Sequence, residues 1–347
     1  MEDAAEAVEA IRNVLPQQDP FALSDHKFVK LFRVSKNLCR EIVEMVTPYV
    51  TVSTRLSSLT VLATLRFYAS GSYQEITGSN SFVAISQAST SRSIKEITNA
   101  LNRPDILRTI RYQLLKILRH YVLGKFYVKY RFPGPIGCID CTHISIVTPQ
   151  QNEHLYINRK GYHSLNVQLI CDTNLKILNC NARFPGLTHD AHIWRQSPIS
   201  TLMENMYREN PDNLFFLLGD SGYPTRPWLL TPLGNPQNAD DERYNNHFCS
   251  IRSTIERCNG VLKNRFRCLL RHRTLHYDPV MAGKIINACC VLHNLCIDNN
   301  IPEADEPHEV QEPDYGIYAA HNYVDNIRAV NPDLVAARET QRNIIIK

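Results

Sequence analysis

Apolar residues recur at helical intervals through roughly the first third of the chain, and the pattern turns to extended structure at Pro133-Gly134-Pro135. Leu59, Val61, Leu62, Leu65 and Phe67, and later Leu114, Leu115, Ile117 and Leu118, predict helices between about Asp25 and Tyr130. Gly71-Ser72 interrupts this half, ahead of a polar segment from Ser86 to Leu101 that holds Ser89, Thr90, Ser91, Arg92 and Ser93, with Ser86 as N-cap. A helix, a glycine break and a polar helix fit a helix-turn-helix whose second helix meets DNA. The plainer alternative is a helical bundle with a solvated face.

Beyond residue 133 the Ile-, Val- and Thr-rich stretch Ile136 to Val147 predicts a strand. Leu165, Val167, Leu169 and Cys171 alternate with polar neighbours as a second strand, and the turn Asp172-Thr173-Asn174 leads to a third over Leu175 to Phe184, giving an antiparallel meander. A helix is expected from Asp190 to Met206, then a buried strand at Asn213 to Gly219 and a weak strand at Trp228 to Pro232. A long helix follows from about Asp240 to Phe266, striped by Tyr244, Phe248, Ile251, Ile255, Leu262 and Phe266, and a buried helix covers Ala282 to Ile297. The order is that of an α/β layer arrangement. The expected organisation is a flexible leader over 1–25, a helical, helix-turn-helix-like region over 26–132, an α/β domain over 133–298, and an acidic linker with a C-terminal tail over 299–347. Glu303, Asp305, Glu306, Glu309, Glu312 and Asp314 make the start of that tail a solvated linker.

The composition of the 347 residues, 44% hydrophobic and 21% charged, is that of a globular protein and sets no class apart. The acidic start lacks the form of a secretory signal, and no apolar run approaches the roughly 18 to 20 residues of a membrane span, so the expected setting is inside the cell with the 11 cysteines reduced. The net charge of +4 is a weak pull toward polyanions, but its distribution is uneven. Between Arg252 and Arg273 stand Arg257, Lys263, Arg265, Arg267 and Arg271 against one acid, Glu256, a candidate footprint for nucleic acid. Arg159-Lys160, next to Gly161, is a second place that could grip a DNA backbone, or a solvated turn.

Four acids are candidates for a metal site, and one of them stands where an acid is costly. Asp140 interrupts the apolar strand Ile136-Gly-Cys-Ile-Asp-Cys-Thr-His-Ile, a position that wants a salt bridge, an exposed face or a metal. Asp220 ends an apolar strand, where α/β sheets gather ligand sites and where aspartate also makes Asx-turns. Glu256 lies near the buried stripe of the long helix, with Arg252 four residues before it, as an ion pair or as an acid directed at metal. Asp190 follows Pro185-Gly186-Leu-Thr-His and could be an N-cap and nothing more. Converging carboxylates of this kind suit phosphodiester chemistry with two divalent ions about 3.5–4 Å apart. Zinc is disfavoured: Cys138 and Cys141 face opposite sides of a strand, and Cys289, His293 and Cys296 offer only three ligands on a mostly apolar helix.

The segments Gly137-Cys-Ile-Asp140-Cys-Thr-His143, Asn158-Arg-Lys-Gly161-Tyr-His163-Ser-Leu-Asn166, Phe184-Pro-Gly-Leu-Thr-His-Asp190-Ala-His, Leu218-Gly-Asp220-Ser-Gly-Tyr223 and Ile255-Glu256-Arg-Cys-Asn together resemble the DDE transposases of the PIF/Harbinger superfamily. They are especially similar to the Harbinger transposase-derived nucleases of animals, over roughly residues 60 to 298. The resemblance implies an RNase H-like catalytic domain, a mixed sheet with helices, behind an all-α DNA-binding region. It implies Asp140, Asp220 and Glu256 as the catalytic triad and Asp190 as a further metal-site carboxylate, with Mg²⁺ or Mn²⁺ as cofactor. DNA would be gripped by Arg159, Lys160, Arg252, Lys263, Arg265 and Arg267. It implies a nuclear protein, with cytoplasm a second location, that works with a Myb/SANT-like partner and can form homo-oligomers. A catalytically silent DNA-binding adaptor and an active transposase of a mobile element are the rival readings.

Overall fold

The computed structural model describes residues 18–50, 57–78, 82–108, 110, 125–303 and 331–345. Most of the leader, the apolar pattern at Leu114 to Leu118 and most of the acidic linker lie outside the described residues. The chain divides into two compact units, one of residues up to 107 with 144–147 and 262–306, the other of 108–143, 148–261 and 307–347. Residues 262–303 thus group with the N-terminal helices, where the sequence had suggested one continuous domain to 298.

The reason for that grouping lies in the helix Pro279–Asp298. Its Ala282, Ile285, Ile286, Cys289, Leu292 and Cys296 are buried together with His293 and Asn294, so it needs cover on nearly every side. By length and composition this helix could cross a membrane, a property that its scattered polar residues hide in the raw sequence, yet 72% of its apolar window is buried inside the protein. The cover comes from the helix Gln87–Leu101: Asn102 Nδ2 donates to Lys284 O (2.8 Å), and Lys284 Nζ donates to Asn99 Oδ1 (2.9 Å).

The other helices of this unit begin where their caps allow. Asp25–Phe32 and Lys36–Val46 follow Ser24 and Ser35, whose hydroxyls accept from Lys27 N (3.5 Å) and Leu38 N (3.2 Å). Helix Ser57–Ser70 is apolar almost all round, with Val61, Leu62, Leu65, Phe67 and Tyr68 buried, and it ends at Gly71. A short helix, Gln74–Gly78, which the sequence pattern did not reveal, precedes Gln87–Leu101. Ser86 caps the latter, as expected, accepting from Ser89 N (3.2 Å). Thr90 and Ser93 are buried while Arg92 is exposed, so only part of the polar run faces solvent.

The second unit is built on a five-stranded mixed sheet of order β3-β2-β1-β4-β5, formed by β1 (Pro135–Ser145), β2 (Ser164–Cys171), β3 (Ile177–Pro185), β4 (Phe216–Leu218) and β5 (Leu229–Leu230). β2 and β3 are antiparallel, whereas β4 runs parallel to both β1 and β5. All eight residues of β2 are buried, so the polar positions Asn166 and Gln168 are enclosed along with the apolar ones. Gly134 opens β1 at φ +96, and a Cβ there would lie 2.4 Å from Phe216 Cε1. The strand can enter beside β4 only with glycine at that point.

The helix expected over Asp190 to Met206 is two helices, Asp190–Arg195 and Pro198–Glu209. Ser197 caps the second and Pro198, lacking an N–H, occupies its first turn, so the chain turns between them. Trp194, Met203, Ile139, Ile170, Leu217, Tyr223 and Trp228 form the core against the sheet. The long helix runs over Ala239–Arg265, close to its expected bounds.

The C-terminal tail, expected to be irregular, holds a helix, Pro332–Ile345. Arg208 grips Asp333 through both carboxylate oxygens (2.6 and 2.7 Å), and buried Gln341 donates to Thr231 O (2.8 Å). Truncation of Gln341 to Ala leaves a buried carbonyl without its donor, at a cost of about 1–3 kcal/mol. The expected result is a lower denaturation midpoint and earlier proteolytic loss of the tail; a tail equally resistant in the variant would refute this anchoring.

Candidate active site

Asp140 and Asp220 are brought together by strand register. β1 and β4 are neighbouring parallel strands with Cys138 opposite Leu218, and each acid lies two residues beyond that pair. Side chains two apart share a face and adjacent strands are about 4.8 Å apart. Two carboxyls therefore stand side by side, Asp140 midway along β1 and Asp220 just past the carboxyl end of β4. Asp220 is buried, and its Oδ1 accepts from Gly222 N (3.0 Å), so it makes the Asx-turn as well as joining the cluster.

The face that carries Asp140 meets the long helix. Cys138 Sγ donates to Ile251 O (3.5 Å), and Asn259 Nδ2 donates to Asp140 Oδ2 (3.3 Å). The carboxyl of Asp140 is held well above its usual range by burial first, then by Asp220 and Asp190, with Arg252 acting the other way.

Asp190 reaches the same region from the start of its helix. It is not the N-cap, a position held by His189, but the first helical residue. Its Oδ1 accepts from Asn166 Nδ2 (2.8 Å), which also donates to Thr188 O (2.8 Å). Asn166 on β2 thus fixes both the acid and the turn before it. Tyr223 and Cys141 complete the wall, with Tyr223 Oη 3.3 Å from Cys141 Sγ. Burial raises both of these groups; the tyrosine is raised further by Cys141 and Asp190, and the thiol by Asp190.

Glu256 sits on the long helix and is ion-paired to Arg252, the arrangement its i, i+4 spacing allowed. Arg252 is buried: burial opposes its charge, but Asp140, Glu256 and Asp220 together outweigh that and raise its pKa. One guanidinium therefore balances three of the four acids. Among the described residues no three carboxylate, histidine or cysteine side chains stand close enough to form a ready metal-ligand group. The donor set nonetheless suits a divalent cation, since Asp140, Asp190 and Asp220 are hard oxygen donors whose mutual repulsion a cation relieves.

The basic positions divide. Arg159 and Lys160 are exposed on a tight turn organised by Asn158, whose Oδ1 accepts from Lys160 N (2.9 Å). Lys263 and Arg265 are only 5% and 2% exposed, and Arg252 is committed to the acids. The last turn of the long helix belongs to the interior of the helical unit, with Arg265 donating to Ile301 O (3.1 Å), so these residues form no exposed basic face. Arg267 is partly exposed. Asn166, Asn259, Cys141 and Tyr223 were not singled out as site residues from sequence. The available signal for Asn166 was a polar side chain inside a strand of buried neighbours.

The family described as DDE superfamily endonuclease matches residues 139–294, a span that contains all four acids. The chain is 36% identical over 249 residues to the human protein named "Putative nuclease HARBI1", covering 71% of this chain and 69% of that one. Its Xenopus laevis counterpart is 35% identical over 251 residues, with the same coverage of 71% and 69%. Arabidopsis thaliana "Protein ALP1-like" is 27% identical over 194 residues, covering 52% of this chain and 48% of its own. No solved structure matches the chain. By this match in sequence, the chain belongs to the Harbinger transposase-derived nucleases of the DDE endonuclease superfamily.

Proposed function

We propose that the protein is a divalent-metal-dependent DNA endonuclease with an RNase H-like catalytic unit, in which Asp140, Asp220 and Glu256 are the catalytic acids and Asp190 is a further metal-site carboxylate. The observation that carries the reading is the β1–β4 register, which sets Asp140 and Asp220 side by side with a single buried guanidinium, Arg252, to balance them and Glu256. The strand order β3-β2-β1-β4-β5, with β2 and β3 antiparallel and β1, β4 and β5 parallel, supports the RNase H-like assignment.

Mg²⁺ or Mn²⁺ held there would activate the attacking oxygen and neutralise the leaving one. The chain's own part is to gather and aim oxygen donors. Asn166 orients Asp190, Asn259 orients Asp140, and the Gly222 N–H fixes Asp220. Glu256 would join them by giving up its bond to Arg252, whose guanidinium would still face Asp140 and Asp220. Arg159 and Lys160 meet the DNA backbone from their exposed turn. Nuclear location and a Myb/SANT-like partner belong to the same reading and rest on family membership.

A silent adaptor is the alternative favoured by one observation, the closed Arg252–Glu256 pair. Nicking of supercoiled DNA in Mn²⁺ separates the two. Wild type is expected to nick and Asp220→Asn to lose at least about a thousandfold, as removal of one member of a catalytic unit does. Equal activity of the two proteins would sink the proposal, and absence of activity in both would favour the adaptor.

A further inference from the structure

Within the helical unit, a cleft of ≈ 520 Å³ lies between the turn Gly71 to Gln74 and the strap Cys268 to Tyr277. Its walls are preformed. Gly71 has φ +62, and a Cβ there would come within 2.9 Å of Cys268 Cα, so turn and strap touch backbone to backbone. The strap is held by Leu275 N donating to Ser145 O (3.0 Å), by Val147 N donating to Leu275 O (2.9 Å), and by Gln74 Nε2 donating to Tyr277 Oη (2.9 Å).

Two features of this cleft are not accounted for by folding. The buried Nε of Arg273 has no hydrogen-bond partner, and its guanidinium enters no ion pair among the described residues. No carboxylate lines the cleft to receive it. An enclosed donor of this kind is costly unless an anion meets it. The second feature is an aromatic pair left open: Tyr73 is 69% exposed, with its ring 5.6 Å from that of exposed His276. Aromatic faces beside a cation are how proteins hold unpaired bases on a charged backbone, and the volume lies within the usual range for small-molecule pockets.

We propose that this cleft takes one unpaired nucleotide of a DNA strand, with its phosphate on Arg273 and its base against Tyr73 and His276. The inference rests on the reading that the protein acts on DNA, and it names a contact for a frayed or nicked strand outside the carboxylate cluster. The experiment is fluorescence anisotropy of the full-length protein in EDTA, with a short labelled oligodeoxythymidine and with a blunt duplex. Arg273→Gln and Tyr73→Ala should each weaken the single strand about tenfold with far smaller effects on the duplex, and Arg273→Lys should recover part of the loss. Unchanged single-strand affinity in both variants would overturn the cleft, as would equal losses on duplex. Should Arg273→Gln fail to fold, Tyr73→Ala decides alone, because its ring is exposed. Since EDTA removes the need for cleavage, binding losses without nuclease activity would count against the nuclease reading only, and nicking with unaltered binding against the cleft only.

Discussion

In metal-free buffer, Asp140→Asn will melt at a higher temperature than the wild type, while its nicking activity falls by about a thousandfold or more. Stability and activity move in opposite directions because the same repulsion serves both. Burial, Asp220 and Asp190 hold the Asp140 carboxyl well above its usual range, so its ionised form is a liability in the folded state. For a carboxyl whose folded pKa is raised, the native state binds the proton more tightly than the unfolded chain. Stability from this group is therefore present below the unfolded value of 3.8 and is lost as pH rises through the raised folded value. The melting advantage of Asp140→Asn should accordingly be largest at neutral and alkaline pH and shrink as pH falls toward the ordinary carboxylate range. Adding Mn²⁺ should raise the melting temperature of the wild type much more than that of the variant, as expected when a cation binds the folded state alone. Calorimetry across pH, with and without Mn²⁺, gives each of these readings. A variant that melts below the wild type throughout would mean that Asp140 is a structural acid.

The largest loss of stability is expected from Trp194→Ala. Trp194 is 1% exposed and packs with Ile139, Ile170, Met203 and Leu217 in the core of the sheet unit. Truncation of a buried tryptophan costs about 3–5 kcal/mol, because the cavity it leaves is only partly refilled. For a unit of this size each kcal/mol is worth about 2–4 °C, so a fall in melting temperature of roughly 6–20 °C is expected. Asp190 lies four residues before Trp194 on the same helix, hence on the same face. Activity measured well below both melting temperatures should also fall, since the helix that carries this acid loses its anchor. Retention of full activity at low temperature would show that Asn166 alone is enough to hold Asp190.

The elements with a strong period could be read directly. The strand at Ile136 to Val147, the strand around Leu165 to Cys171 and the helix from Asp240 to Phe266 all fall near their expected bounds, because each carries enough apolar residues in one register to outweigh local ambiguity. The expected helix from Asp190 to Met206 was too long because its apolar spacing continues across Ser197-Pro198, where the chain is re-capped. The tail helix Pro332–Ile345 is held by Arg208 and Thr231, contacts more than 100 residues away in sequence that no local pattern reveals. Burial of Lys263 and Arg265 is hidden for the same reason: charge is visible in a sequence, whereas enclosure depends on which helices come to lie around it. At the site, only Asp140 stands out by a costly position in the sequence; Asp190, Asp220 and Glu256 each fit an ordinary turn, cap or ion pair, and it is the family resemblance that joins them. Their supports, Asn166 and Asn259, were not legible, because an amide in a strand or a helix has no single meaning until its partner is known.

The side-by-side placement of Asp140 and Asp220 also sets a rule for how such chains can vary in length. From the Cys138–Leu218 pair to each acid the count is fixed on both strands, and one inserted or deleted residue there would turn one carboxyl to the opposite face of the sheet. The connections elsewhere in the sheet unit, such as that between β1 and β2 or that between the helix Pro198–Glu209 and β4, carry no such constraint. Relatives should therefore differ freely in the size of those connections, while the short steps from the paired strand positions to the two aspartates stay at two residues.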